Sequence, residues 1–177
     1  PMATATTNDP PSIRSARERQ TISKKRVIYS PMTGRSAPIT EACDQAFAEK
    51  MIGDGAMITP KEKTVAAPCD GTVLFVSVTK HAVGLETEEG IRLLLHVGID
   101  TAALNGEGFN VFVENGQTVK KSDILMELDL DFLEKNAKSM DAFITVTDTD
   151  RSKTKISLIA SGEVRAGEPL YWVTIYE

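Results

Sequence analysis

The strongest constraint on folding in this chain is a succession of short apolar and β-branched runs, each interrupted by turn residues before it reaches helical length. The runs span 72–79, 83–86, 91–97, 110–113, 124–128, 143–147, 156–160 and 170–176. Short strands at regular spacing, with Gly, Asp and Asn between them, predict an all-β sandwich or barrel. Helix enters only as a minor element. Asp131 to Ser139 reads as one short helix with Phe132, Leu133 and Asn136 on a face, and a helical turn fits around Gln45 to Met51. The segment Gly116 to Leu125 is echoed by Gly162 to Leu170, each reading as a turn, a valine, another turn and a strand. A repeated unit of this kind predicts a sheet assembled from two related halves.

With 177 residues, 41% of them hydrophobic, the chain carries enough apolar surface for one domain with its own core. Residues 1–27 stand apart, being rich in Thr, Ser, Pro and Arg without an apolar period; they are expected to form a disordered basic tail or linker, with the folded domain over 28–177. Six basic against two acidic side chains make this tail +4, which leaves −9 on the rest of a chain whose net charge is −5. An acidic body argues against nucleic acid as the main partner, because phosphate neutralisation requires a basic surface. No apolar run approaches 18 residues, so a soluble polypeptide that meets a membrane only through a partner or a larger parent protein is expected. Cys43 and Cys69 lack CxxC spacing and nearby histidines, which fits reduced, buried thiols in a cytoplasmic protein better than a zinc knuckle or a disulfide framework.

The only two histidines, His81 and His96, stand at mirror positions about Thr87-Glu88-Glu89-Gly90, with a β-like run on each side. If a two-residue loop closes this hairpin, Thr87 faces Gly90 and His81 falls opposite His96. Directly opposed residues hold their Cβ atoms roughly 4.5–5.5 Å apart, close enough for two rings to meet over one transferring group. Period two puts Leu94 beside His96 and Thr79 beside His81, with Val83 in the same patch and Gly98 opposite Thr79. A hydroxyl beside an imidazole fixes its tautomer, and Asp100 adds negative charge at the rim.

A neutral imidazole is a competent nucleophile near pH 7, and a phosphohistidine passes its phosphoryl group onward readily. Two neighbouring imidazoles without an oxyanion loop therefore fit phosphoryl transfer, in which the second ring stabilises the equatorial oxygens. No P-loop is present, which argues against ATP as the donor. A purely structural role for each histidine is the plain alternative. A metal site is another: His81 and His96 are candidate zinc ligands at a partner interface, with Asp100 as an oxygen ligand, although zinc normally takes three or four protein ligands and no third histidine exists.

The run Gly90-Ile91-Arg92-Leu93-Leu94-Leu95-His96-Val97-Gly98-Ile99-Asp100-Thr101-Ala102 resembles the active-site signature of the glucose-type enzyme IIA domains of the bacterial phosphoenolpyruvate-dependent sugar phosphotransferase system. The likeness extends through Ser30-Pro31, Phe47-Ala48-Glu49-Lys50, Gly53-Asp54-Gly55, Ala67-Pro68, Asp70-Gly71, Thr79-Lys80-His81-Ala82 and Leu104-Asn105-Gly106-Glu107-Gly108-Phe109. It implies an antiparallel β-sandwich, a barrel-sandwich hybrid with an internally duplicated motif and one or two short helices. It also implies a cytoplasmic phosphocarrier that accepts phosphate from the histidine-containing phosphocarrier protein and gives it to a cysteine on a IIB domain. Sugar is the final acceptor, the membrane is reached only through a IIBC transporter, and no cofactor is needed.

Carried over position by position, the resemblance makes His96 the phosphorylated nucleophile through Nε2, with its Nδ1 proton held by the Gly98 carbonyl. His81 would bind the phosphoryl group and Thr79 would orient His81. Phe47, Met51, Val83, Leu94, Val97 and Asp100 fall where the family meets its partners, while Ser77 and Val83 replace aromatic residues of better-known members. Two other functions compete with this one. His96-Val97-Gly98-Ile99-Asp100 is similar to the HxxxD ligand pair of lysostaphin-like zinc peptidases, though the accompanying HxH pair is missing. A non-catalytic regulator switched by phosphorylation of the same patch is the other.

Overall fold

Along β7 (Arg92–Ile99), period two sorts the side chains as the sequence demands: Leu93, Leu95 and Val97 are buried, whereas Leu94 and His96 are half-buried on the other face. The structure, a computed structural model, describes residues 21–177. Its other strands are β1 (Ile22–Tyr29), β2 (Gly34–Pro38), β3 (Asp54–Pro60), β4 (Thr64–Ala66), β5 (Gly71–Val76) and β6 (Ala82–Glu86) before β7. After it come β8 (Phe109–Val111), β9 (Thr118–Val119), β10 (Ile124–Leu128), β11 (Ser139–Thr147), β12 (Thr154–Leu158), β13 (Gly162–Val164) and β14 (Pro169–Tyr176). The two short helices are α1 (Gln45–Ala48) and α2 (Leu130–Asn136). Asp44 caps α1 by accepting from the amides of Ala46 and Phe47, and Asp129 caps α2 through Phe132. The second helix stops short of the expected Ser139 because that residue already pairs with Ile99 at the start of β11.

An eight-stranded sheet in the order β13-β2-β3-β11-β7-β6-β5-β9 forms the backbone of the molecule, and the sheets β1-β14-β12 and β4-β10-β8 pack with it. Every pairing among the described residues is antiparallel, and the large sheet ends in β13 and β9 rather than closing into a barrel. The echoed segments occupy equivalent places. In each, a short strand (β9 or β13) terminates the large sheet and the following long strand (β10 or β14) is the centre of a three-stranded sheet. The main core lies between these layers, with Ile28, Ile58, Leu85, Leu95, Val97, Leu125, Ile144 and Leu170 among its fully buried members.

Three expectations need correction. The boundary at 27/28 cuts through β1, whose Lys24, Lys25, Arg26 and Val27 pair with Thr174 and its neighbours on β14; the basic charge there decorates a strand, and residues 1–20 of the expected tail lie outside the described residues. The hairpin joining β6 to β7 has one residue more than the tight turn assumed. Thr87 N–H donates to the Ile91 carbonyl and Gly90 takes φ +85, so the loop contains Glu88, Glu89 and Gly90, and Ala82 rather than His81 falls opposite His96. Of the two free cysteines, Cys69 is buried but Cys43 is exposed.

Candidate functional site

A row of four cross-strand neighbours, Met57 on β3, Phe143 on β11, His96 on β7 and Ala82 on β6, crosses the outer face of the large sheet. Its first half is covered. Ile39, from the turn after β2, and Phe47, from α1, close with Met57, Phe143 and Ile99 into a small second core. Phe47 stacks on Phe143 with ring centroids 3.9 Å apart, and His96 leans on the edge of this stack, 5.0 Å from Phe47 and tilted by 57°. His96 thus sits where the apolar cover ends. The small side chain of Ala82 leaves the space on its other flank free.

Into that space comes His81. The regular strand β6 starts only at Ala82, and the preceding turn passes through Lys80 in the left-handed region at φ +63, so His81 is not bound by the alternation of the pleat. Its carbonyl still accepts from Val97 N–H at 2.8 Å, which anchors it beside β7. The two imidazoles lie 4.7 Å apart, edge to face at 80°. Strand register therefore makes them neighbours by a different route from the one expected: the extra hairpin residue moves His81 out of opposition, and the turn before β6 brings it back.

The environments of the rings differ. Thr79 Oγ1 is 2.8 Å from Nδ1 of His81, and Ser77 Oγ is 3.5 Å from the same nitrogen. Burial lowers the His81 pKa, partly offset by the Thr79 backbone. His96 is pushed further, down to about 4, first by burial and then by the neighbouring His81, against weaker opposing pulls from the Gly98 backbone and Asp44. His96 is therefore a neutral imidazole throughout the physiological range. Its Nδ1 is buried without a hydrogen-bond partner, so the Gly98 carbonyl attracts this edge of the ring without reaching hydrogen-bond geometry. Gly98 itself takes φ +82, and a Cβ there would lie 2.3 Å from Thr101 Cγ2, which restricts the position to glycine.

The expected docking residues divide sharply. Val83 and Val97 belong to the main core with no exposed surface, and Phe47 is buried in the small second core, so these three face inward: Val97 shares the Leu93–Leu95 face of β7, Val83 turns inward because it pairs with Leu95, and Phe47 is covered by the packing of α1 on the sheet. Met51 is 70% exposed, Leu94 is half-buried on the His96 face and Asp100 is exposed. Sequence reasoning missed Leu74, Phe75 and Val78, which are exposed apolar side chains on β5 and the turn leading to His81. Phe75 packs on Gly84, its Cε1 2.3 Å from where a Cβ would be, across β6 from Leu94. Among the described residues, no three His, Cys, Asp or Glu side chains converge as a metal-ligand set.

Residues 26–152 match the family model described as phosphoenolpyruvate-dependent sugar phosphotransferase system, EIIA 1. The chain belongs to this family. A solved structure, glucose permease IIA from Mycoplasma capricolum, is similar to this EIIA chain at 34% identity with a TM-score of 0.78, covering 84% of this chain and 96% of that one. Membership carries with it a phosphocarrier role in the sugar phosphotransferase system and replaces the zinc-peptidase reading. No described helix of this EIIA chain is long and apolar enough to cross a membrane.

Proposed function

We propose that this EIIA chain carries a phosphoryl group on His96 Nε2, taken from the histidine-containing phosphocarrier protein and delivered to a cysteine of a IIB domain at the cytoplasmic side of a sugar transporter. The observation that supports this most is the asymmetry of the histidine pair: one imidazole held neutral at the margin of an apolar cover, the other 4.7 Å away and held by a hydroxyl. The His96 Nε2 lone pair attacks phosphorus as the donor's N–P bond breaks, and the departing electron pair returns to the donor ring. The IIB thiolate then attacks in the same way, and His96 leaves as a neutral imidazole. Such a loose transition state asks the protein for alignment and charge stabilisation rather than for a strong base.

His81 supplies the stabilisation. When the Thr79 hydroxyl donates to its Nδ1, the proton of neutral His81 resides on Nε2, which then donates to a phosphoryl oxygen on His96. Closing the bond from His96 Nδ1–H to the Gly98 carbonyl would hold the tautomer that leaves Nε2 free to attack. Met51, Leu94 and Asp100, joined by Leu74, Phe75 and Val78, form the surface that partners meet. Incubation with phosphoenolpyruvate and the two upstream carriers should add one acid-labile phosphoryl mass to the chain. No mass increase under conditions that load a known EIIA would refute the reading.

A further inference from the structure

We propose that Ser77 is a positioning residue for His81, holding the turn that carries the ring and deciding which ring nitrogen bears the proton. This rests on the phosphocarrier reading of the site. Three polar groups of this one serine tie the turn together: its N–H donates to the Ala82 carbonyl at 2.9 Å, its carbonyl accepts from Lys80 N–H at 2.9 Å, and its Oγ accepts from Ala82 N–H at 3.1 Å. The Val97-to-His81 hydrogen bond makes 81 and 97 the bonded pair, so the Ala82 amide turns away from β7 and finds the Ser77 side chain instead. Ala82 is buried against His96, and without Oγ its amide would be left without that acceptor.

The same oxygen faces His81. Thr79 alone leaves the proton position of that ring undecided, because its hydroxyl is 2.8 Å from Nδ1 and suits either tautomer, while its backbone favours the protonated ring. Ser77 adds to the balance. With one lone pair taken by Ala82 N–H, its Oγ keeps the proton and a single lone pair, and Nδ1 at 3.5 Å is the ring atom toward which that proton can turn. Two hydroxyls turned toward one nitrogen favour an unprotonated Nδ1 and a protonated Nε2. An aromatic residue at this position could supply neither the Ala82 acceptor nor the second hydroxyl.

The test reads the tautomer directly in the unphosphorylated chain, by long-range proton–nitrogen NMR of the two His81 nitrogens in the wild type, Ser77→Ala and Ser77→Thr. The wild type and Ser77→Thr should show His81 with the proton on Nε2, and Ser77→Ala should move part of the population to Nδ1. In single-turnover transfer to a IIB domain, Ser77→Ala should be about three- to ten-fold slower, the loss carried by one modest hydrogen bond, and Ser77→Thr should recover most of the rate. Identical tautomers and rates in the wild type and Ser77→Ala would overturn the proposal. A tautomer shift in a chain that never accepts phosphate would sustain the role of Ser77 while refuting the phosphocarrier reading.

Discussion

His96 and His81 face each other, yet one is built into a sheet and the other onto a turn. His96 lies inside β7 with a strand on either side and the edge of the Phe47–Phe143 stack beside it, so its backbone, ring and protonation are fixed by packing. His81 stands just ahead of β6, after a left-handed Lys80, with two hydroxyls at its Nδ1. The difference suits the two roles proposed for these rings in phosphoryl transfer. A nucleophile must be placed rigidly for in-line attack, whereas a group that stabilises developing charge must have its proton donor aimed in advance, which the hydroxyls at the other ring nitrogen accomplish.

Exchanging the roles is the most severe way to break this comparison. His96→Gln should abolish loading altogether, read as loss of the phosphoryl mass. His81→Gln should still load but donate to IIB about 100-fold more slowly, the scale of one hydrogen-bond donor aimed at developing charge, in single-turnover transfer. Equal loss of loading in both variants would reject the division of labour. A smaller perturbation, Thr79→Ala, should slow onward transfer by about ten-fold while leaving His96 as the site of attachment, because it loosens His81 without removing it. A transfer rate equal to the wild type would mean that the hydroxyl does not orient the ring.

The apolar cover sharpens the comparison from the other side. Because folding lowers the His96 pKa to about 4, the unfolded chain takes up a proton that the folded one refuses as pH falls below the ordinary imidazole value near 6.5. Stability is therefore complete above that value and is lost as pH falls through the window down to about 4, by about 3 kcal/mol for this group. Urea unfolding at a series of pH values should show this slope in the wild type and a shallower one in His96→Gln, and parallel curves would argue against the buried neutral ring. Phe47→Leu removes the stacked floor and should raise the His96 pKa toward its ordinary value, which proton NMR titration reads directly.

Much of this arrangement was legible in the chain because strand period and turn chemistry are local. The alternation around His96 correctly placed Leu94 and His96 on one face, and Ile124–Leu128 was bounded as observed. Strands β2 and β3 were not legible, since GRSAP and DGAMITP have few β-branched residues and several Gly, Ala and Pro. Gly55 shows why such a strand still belongs in the sheet: a Cβ there would lie 1.9 Å from the Ile144 carbonyl, so the neighbouring backbone selects a residue with poor strand propensity. A two-residue turn at Glu88-Glu89 would set the hairpin register one residue away from that observed, because Gly90 at positive φ supplies an extra loop position. Burial of Val97 follows the alternation along β7 and that of Val83 follows the observed register, whereas burial of Phe47 depends on where α1 packs, which no spacing within the sequence encodes.

The unequal pair is tested most directly by locating the phosphoryl group atom by atom. In nitrogen-15-labelled chain loaded from phosphoenolpyruvate, phosphorus–nitrogen coupling should appear at Nε2 of His96, with His81 unmodified and its Nε2 proton hydrogen-bonded. Coupling at either nitrogen of His81, or at Nδ1 of His96, would contradict the account.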